Sequence, residues 1–218
     1  MAKPLKIRII LAIAGAVVAT ACSGAGKTES ELTNAEKAAA TLDVVYKHYS
    51  APKTKLLRET YPFKADFDAS YLAADEKDDT KPYAYLWPYS GTFSGVNALF
   101  ETTEGRKYRR LLEKRVLTGL DEYYDTRRKP PAYASYINTA PLSDRFYDDN
   151  VWIGIDFTDL YVMTGQQRYL DKAKEIWAFI ESGTDDKLGG GIYWCEQKKR
   201  SKNTCSNAPG AVYALKLY

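Results

Sequence analysis

The sequence predicts an all-α protein built as an α/α toroid, and three observations predict it. Apolar residues recur at helical spacing through most of the chain. Segments that are apolar nearly all round alternate with segments that carry one apolar stripe. The pattern also repeats: Thr103-Glu104-Gly105 with Tyr108 returns as Met163-Thr164-Gly165 with Tyr169, about 60 residues later. Repeats of this kind stack or ring their units rather than form a single bundle. The all-round apolar helices then form an inner ring and the striped helices an outer one.

Taken in order, the chain opens with Lys3, Lys6 and Arg8 followed by an uncharged apolar run from Ile9 to Ala21. A spanning helix needs about 20 apolar residues, so this run fits the core of an export signal instead. It ends in Ala19-Thr20-Ala21-Cys22-Ser23, small residues directly before a cysteine, which resembles a bacterial lipoprotein box. Residues 1–21 are therefore expected to be a signal peptide, Cys22 the lipidated first residue, and 22–32 a polar tether. Such a protein sits on a membrane of the bacterial cell envelope, periplasmic or surface-facing, held by its lipid alone. An ordinary signal with a cysteine near its cleavage point is the alternative.

The formal charge is +3, and Lys3, Lys6 and Arg8 account for it; from Cys22 onward acidic and basic residues balance. A neutral domain gives no electrostatic reason to expect nucleic acid as a partner. The 18 tyrosines suit a surface that stacks on sugars, although Tyr is also an ordinary core and rim residue. Cys195 and Cys205 lie ten residues apart, and an oxidising compartment allows a disulfide between them. The single histidine, His48, leaves little for a Ser-His-Asp triad or a histidine-rich metal site. No metal and no cofactor are expected.

The domain proper is expected over 33–218. Thr33-Asn34-Ala35-Glu36 reads as a capping box, followed by Ala35, Ala38, Ala39, Leu42, Val45, Tyr46 and Tyr49 at helical spacing. Pro52, Pro62, Pro82 and Pro88 break the segment from Ser50 to Tyr89. A small-residue helix follows over about 90–103, then a charged helix with one apolar stripe over about 106–124. Pro130, Pro131 and Pro141 mark a second irregular stretch. From Asp149 to Thr164 the helix is apolar nearly all round. The next, over 167–182, carries Tyr169, Leu170, Ala173, Ile176, Trp177 and Ile180 in one stripe, and Gly183 stops it. The last residues, from Ala211 to Tyr218, are a helical apolar pattern with no stop signal.

Alternating helix directions sort the connections. Short turns at Gly105 and Gly165 fall at one end, and the long segments 50–89, 125–148 and 183–207 at the other. Long loops on a rigid scaffold carry function. They bring Trp87, Asp148, Asp149, Trp194 and Asn203 to a common rim. Two neighbouring carboxyls flanked by aromatics have the makings of a retaining glycosidase, which needs its carboxyl groups about 5–5.5 Å apart, one to attack and one to donate a proton. The alternative is an acidic first turn that caps a helix.

Tyr147-Asp148-Asp149-Asn150-Val151-Trp152, Thr164-Gly165 with Tyr169-Leu170, Gly189-Gly190-Gly191-Ile192-Tyr193-Trp194, and Lys202-Asn203-Thr204-Cys205-Ser206-Asn207-Ala208 resemble glycoside hydrolase family 76, the endo-α-1,6-mannanases. The resemblance spans roughly Leu86 to Tyr218. It implies an (α/α)6 barrel, of which this chain would supply about the N-terminal half, and retaining cleavage of the α-1,6-mannan backbone. It implies Asp148 as nucleophile and Asp149 as acid/base. Trp87, Asn150, Gly190, Gly191, Trp194 and Asn203 are the expected substrate contacts. Against them stand plainer readings: a rim aromatic for Trp87, a first-turn cap for Asn150, a hairpin core for Trp194, and a tight turn for the glycines. A lipid-anchored glycan-binding protein without catalysis is the competing function. A uronate lyase would want a basic cleft, and a purely structural lipoprotein leaves the loop motifs without a purpose.

Overall fold

A computed structural model describes residues 31–64, 81–102 and 105–218. The expected signal peptide and Cys22 lie outside the described residues, as does nearly all of the tether.

Helix α1 (Asn34–Tyr49) starts on the expected capping box: Thr33 Oγ1 accepts from the Glu36 amide at 3.2 Å, and the Glu36 carboxylate accepts from the Thr33 amide at 2.7 Å. Two orphan amides of the first turn are thereby satisfied. Helix α2 (Leu86–Phe100) begins four residues before the expected Ser90. Pro88 is its third residue, where an amide has no intrahelical acceptor and proline costs nothing. The segment expected as one helix over 106–124 is α3 (Gly105–Leu111), a π-helical turn (Leu112–Val116), α4 (Leu117–Leu120) and a 3-10 turn (Asp121–Tyr123). The Val116 carbonyl, at the π turn, accepts from the Tyr89 hydroxyl at 3.0 Å, which ties α2 to this segment.

A two-stranded hairpin, β1 (Tyr124–Asp125) and β2 (Ala132–Tyr133), pairs Tyr124 with Tyr133 and Asp125 with Ala132 in antiparallel register. Two residues are too few for an alternating pattern, so no periodicity marks the hairpin. Helices α5 (Tyr147–Thr164) and α6 (Gln167–Ser182) fall where expected. Helix α7 (Thr204–Leu217) begins seven residues before the pattern from Ala211, with Pro209 inside it.

Helix α5 packs against α2, α6 and α7, while α1 and α3 pack on α2. The inner layer is therefore α2, α5 and α7, and the outer layer is formed by α1, α3–α4 and α6. Close approach between α5 and α7 requires Gly154, where a Cβ would collide with the Tyr213 ring. The Tyr213 hydroxyl in turn donates to the Ala173 carbonyl of α6, so one side chain ties three helices. Phe93 of α2 meets Phe157 of α5 edge-on, with ring centroids 5.0 Å apart. On the inner helices Val162 and Leu215 remain 79% and 75% exposed, the exposure expected of an open arc of paired helices. No helix among the described residues is long and apolar enough to cross a membrane. The architecture is the all-α, helix-paired class read from the sequence.

Candidate active site

The site is built where the chain turns into α5. Phe146 is the N-cap, in extended conformation at φ −101° and ψ 131°, and makes no side-chain capping bond. Phe146 is extended because 145–147 pair with 194–196. Tyr147 donates its amide to the Trp194 carbonyl at 2.9 Å, and Glu196 donates to the Arg145 carbonyl at 3.0 Å. Phe146 and Cys195 form an isolated antiparallel bridge. Asp148 and Asp149 are thus the second and third residues of the helix; neither is its N-cap.

They open onto a cleft of about 440 Å³, a size usual for small-molecule sites. Its aromatic lining is Trp87 on α2, Trp152 on α5, Trp194 on the loop before α7, and Tyr85 and Phe146 between them. Three of the four tryptophans in the chain meet here. Trp87 is 53% and Trp152 42% exposed, so both present bare ring surface. Trp194 packs on Phe146, ring centroids 4.9 Å apart, and its indole Nε1 donates to Asp148 Oδ2 at 3.2 Å.

Burial pushes the Asp148 carboxyl above the usual carboxylate range. The Cys205 thiol, the backbone amides of Asp148 and Asp149 and the Trp194 indole pull it back, because donors favour the charged form. Burial outweighs them and the helix N-terminus together. Asp149 is 7% exposed and lines the same cleft. Cys205, on the first turn of α7, has its own thiol raised to about 11 by burial and by Asp148.

Four expected site residues come together: Asp148, Asp149, Trp87 and Trp194. The others do not. Asn150 is fully buried. Its Oδ1 accepts from the Tyr133 amide at 2.9 Å, and its Nδ2 donates to the Tyr133 and Phe146 carbonyls, each at 2.9 Å. With its amide group consumed, it stitches β2 to the start of α5 and is not part of the cleft lining. Gly190 and Gly191 adopt φ 87° and 82°, which L residues avoid, but they lie outside the cleft wall. A Cβ on Gly191 would strike Asn207 Oδ1, so the close backbone approach there is to α7, not to a ligand. Asn203 is the N-cap of α7, and its carbonyl accepts from the amide and the side chain of Asn207 at 3.1 and 2.9 Å.

The disulfide is also corrected. Cys195 and Cys205 are both free, Cys195 buried and Cys205 exposed. The bridge with Phe146 turns Cys195 into the interior, while Cys205 faces the cleft.

Sequence reasoning missed Trp152, Cys205 and Glu59 as lining residues. Trp152 was legible: it follows Asp148 by four residues, one helical turn on the same face. Glu59 had no signal, because its place depends on a loop whose carboxylate accepts from the Tyr85 amide at 2.9 Å.

The family model for glycosyl hydrolase family 76 matches residues 33–218. Among solved structures, a family 76 mannosidase from Bacteroides thetaiotaomicron VPI-5482 superposes with a TM-score of 0.68 at 28% identity, covering 84% of this chain and 48% of that one. A family 76 glycoside hydrolase from a bovine Bacteroides thetaiotaomicron strain gives 0.66 at 31% identity, over 85% of this chain and 38% of that one. A family 76 α-mannanase from Bacteroides thetaiotaomicron gives 0.68 at 26% identity, over 83% and 46%. The chain thus spans half or less of the length of these structures. No curated protein matches it.

Proposed function

The chain belongs to glycosyl hydrolase family 76, and on that premise we propose that its cleft cleaves the α-1,6-linked backbone of mannan with retention of configuration. The observation that carries the reading is the pair of adjacent carboxyls at the floor of a cleft walled by three tryptophans. Exposed indole faces stack on the apolar faces of pyranose rings and place the scissile bond over the carboxyls.

In this reading Asp148 is the nucleophile. The Trp194 indole that donates to Asp148 Oδ2 orients the carboxyl and favours its anionic form. Asp149 is the acid/base. The mechanism requires Asp149 to carry a proton while Asp148 is charged. That proton passes from Asp149 to the glycosidic oxygen as Asp148 bonds to the anomeric carbon. Water, deprotonated by Asp149, then releases the sugar with its original configuration. The partner is an α-mannan polymer or oligosaccharide. The N-terminal reading belongs to the same proposal: Cys22 carries lipid and holds the domain on the cell envelope, and radiolabelled fatty acid should enter the protein but not its Cys22→Ser variant.

The activity test is incubation with unbranched α-1,6-mannan, with products resolved by size and by anomeric configuration in proton NMR. The reading requires shorter α-1,6 oligomers whose new reducing ends appear first as the α anomer. First-formed β anomers would overturn retention. Binding of mannan without new reducing ends would leave a glycan-binding protein.

A further inference from the structure

Arg145 is the largest side chain among those fully buried, and it lies three residues before Asp148 without reaching the cleft. Each of its three guanidinium nitrogens donates a hydrogen bond. Nε donates to Glu196 Oε2 at 2.7 Å, Nη2 donates to the other carboxylate oxygen, and Nη1 donates to the Pro130 carbonyl at 2.8 Å. Its face lies over the Phe179 ring, 4.9 Å from the centroid. The main chain at Arg145 is held as well, since its amide donates to Gln197 Oε1 at 2.8 Å.

Arg145 is fully buried and the Glu196 side chain 20% exposed, and such a pair is a poor way to gain stability, because desolvating the charges offsets their attraction. What a forked pair supplies is a fixed register. Arg145 and Glu196 close one end of the short antiparallel pairing between 145–147 and 194–196. A slip of one residue there would turn Trp194 to the opposite face and take its indole away from Asp148.

We propose that the Arg145–Glu196 pair is a positioning device for the site, locking the two segments in the register that holds the Trp194 indole on Asp148. The groups around that carboxyl are Asp149 on its own helix, Glu59 from the loop before α2, and Cys205 with Trp194 from the α7 side. Of these, only the Trp194 contact runs through the clamp. Neither Arg145 nor Glu196 touches the cleft, so both act through Trp194.

The inference rests on Asp148 being a reacting carboxyl, but its test reads ionisation rather than turnover. In protein labelled with 15N-tryptophan, the indole signal of Trp194, assigned by loss in Trp194→Phe, should shift with pH as Asp148 ionises. Asp148→Asn should abolish that response. In Glu196→Gln, which keeps the shape and removes the charge, most of the response should disappear while the protein still melts cooperatively. Arg145→Lys keeps the charge but not the fork, and should do the same; it decides the matter should the Gln variant fail to fold. A lowered melting temperature with the Trp194 response intact would reduce the pair to a structural role and overturn the proposal. A normal response in a protein that cleaves no mannan would instead count against the proposed activity alone.

Discussion

Helices α1 and α5 both begin with acidic first turns, and they use them in opposite ways. In α1, Glu36 folds back on Thr33 and both partners lie within four residues of sequence. In α5 the N-cap is Phe146 with no side-chain cap. Asp148 instead receives an indole from 46 residues further along, and the Cys205 thiol of α7 lines the same cleft. The first carboxylate is satisfied locally and ends its work at the helix terminus. The second is served by distant elements that exist to shape a cleft around it. A first-turn acid becomes a candidate site when its donors arrive from far away and burial opposes its charge.

The hardest break of this contrast is Asp148→Asn or Asp149→Asn. Each should lower the rate of mannan cleavage by roughly 10³-fold or more, about 4 kcal/mol of barrier. The melting temperature should hardly fall, because Asn keeps the shape of each side chain and an oxygen that accepts hydrogen bonds. Steady-state rates and thermal melts on the same preparations check both halves. A loss of stability matching the loss of rate would place Asp148 with Glu36 as a cap.

Next in size is Asn150→Ala. It strands the Tyr133 amide and carbonyl in a buried position, while the Phe146 carbonyl keeps the backbone amide of residue 150 at 3.4 Å. Unpaired buried groups cost about 1–3 kcal/mol apiece, so urea denaturation should show a loss of roughly 3–4 kcal/mol. Mannan affinity per folded molecule should survive, because Asn150 is not part of the cleft lining.

That residue also marks the boundary of what was legible. The helix pairs were readable because their apolar periodicity is local and long. The Asp148-Asp149 pair with Trp87 and Trp194 was readable because long connections in an alternating helical fold emerge at one end. Asn150, Gly191 and Asn203 misled because a polar or glycine residue beside a site looks the same whether it faces ligand or backbone. Asn150 faces Tyr133, and Gly191 faces Asn207. The hairpin that Asn150 serves is two residues per strand and has no periodicity to read. Cys195 and Cys205 misled for a related reason: spacing carries no direction, and the bridge between Phe146 and Cys195 buries one thiol while α7 exposes the other.

A third carboxyl on α5 sharpens the comparison further. Asp156 lies two turns beyond the site, accepts from Ser94 Oγ at 2.6 Å, and has its backbone carbonyl bound by Asn97 Nδ2 at 2.9 Å. Burial raises it to about 7 from 3.8, against the opposing pull of Ser94 and with Asp159 adding to the rise. The folded protein therefore keeps a proton that the unfolded chain sheds, so this group makes stability fall as pH rises from about 4 to about 7. The loss should be roughly 3–4 kcal/mol. It should be absent from the Asp156→Asn variant, as chemical denaturation across that pH range would show. A wild-type slope unchanged by the substitution would mean that Asp156 is ionised in the fold.

The smallest effect belongs to the other helix start. Thr33→Ala removes the hydroxyl that accepts from the Glu36 amide. Loss of such a cap costs about 1 kcal/mol. The residue is exposed and α1 is an outer helix packed on α2, so the cost should stay at the helix end. Denaturation should register it, while kcat and KM on mannan remain at wild-type values. If Thr33→Ala impaired turnover as strongly as stability, α1 would be coupled to the cleft through Leu57, Arg58 and Glu59, whose loop pairs back onto Tyr49 and Ser50. The contrast between a helix start that caps and one that reacts would then describe two ends of a single connected element.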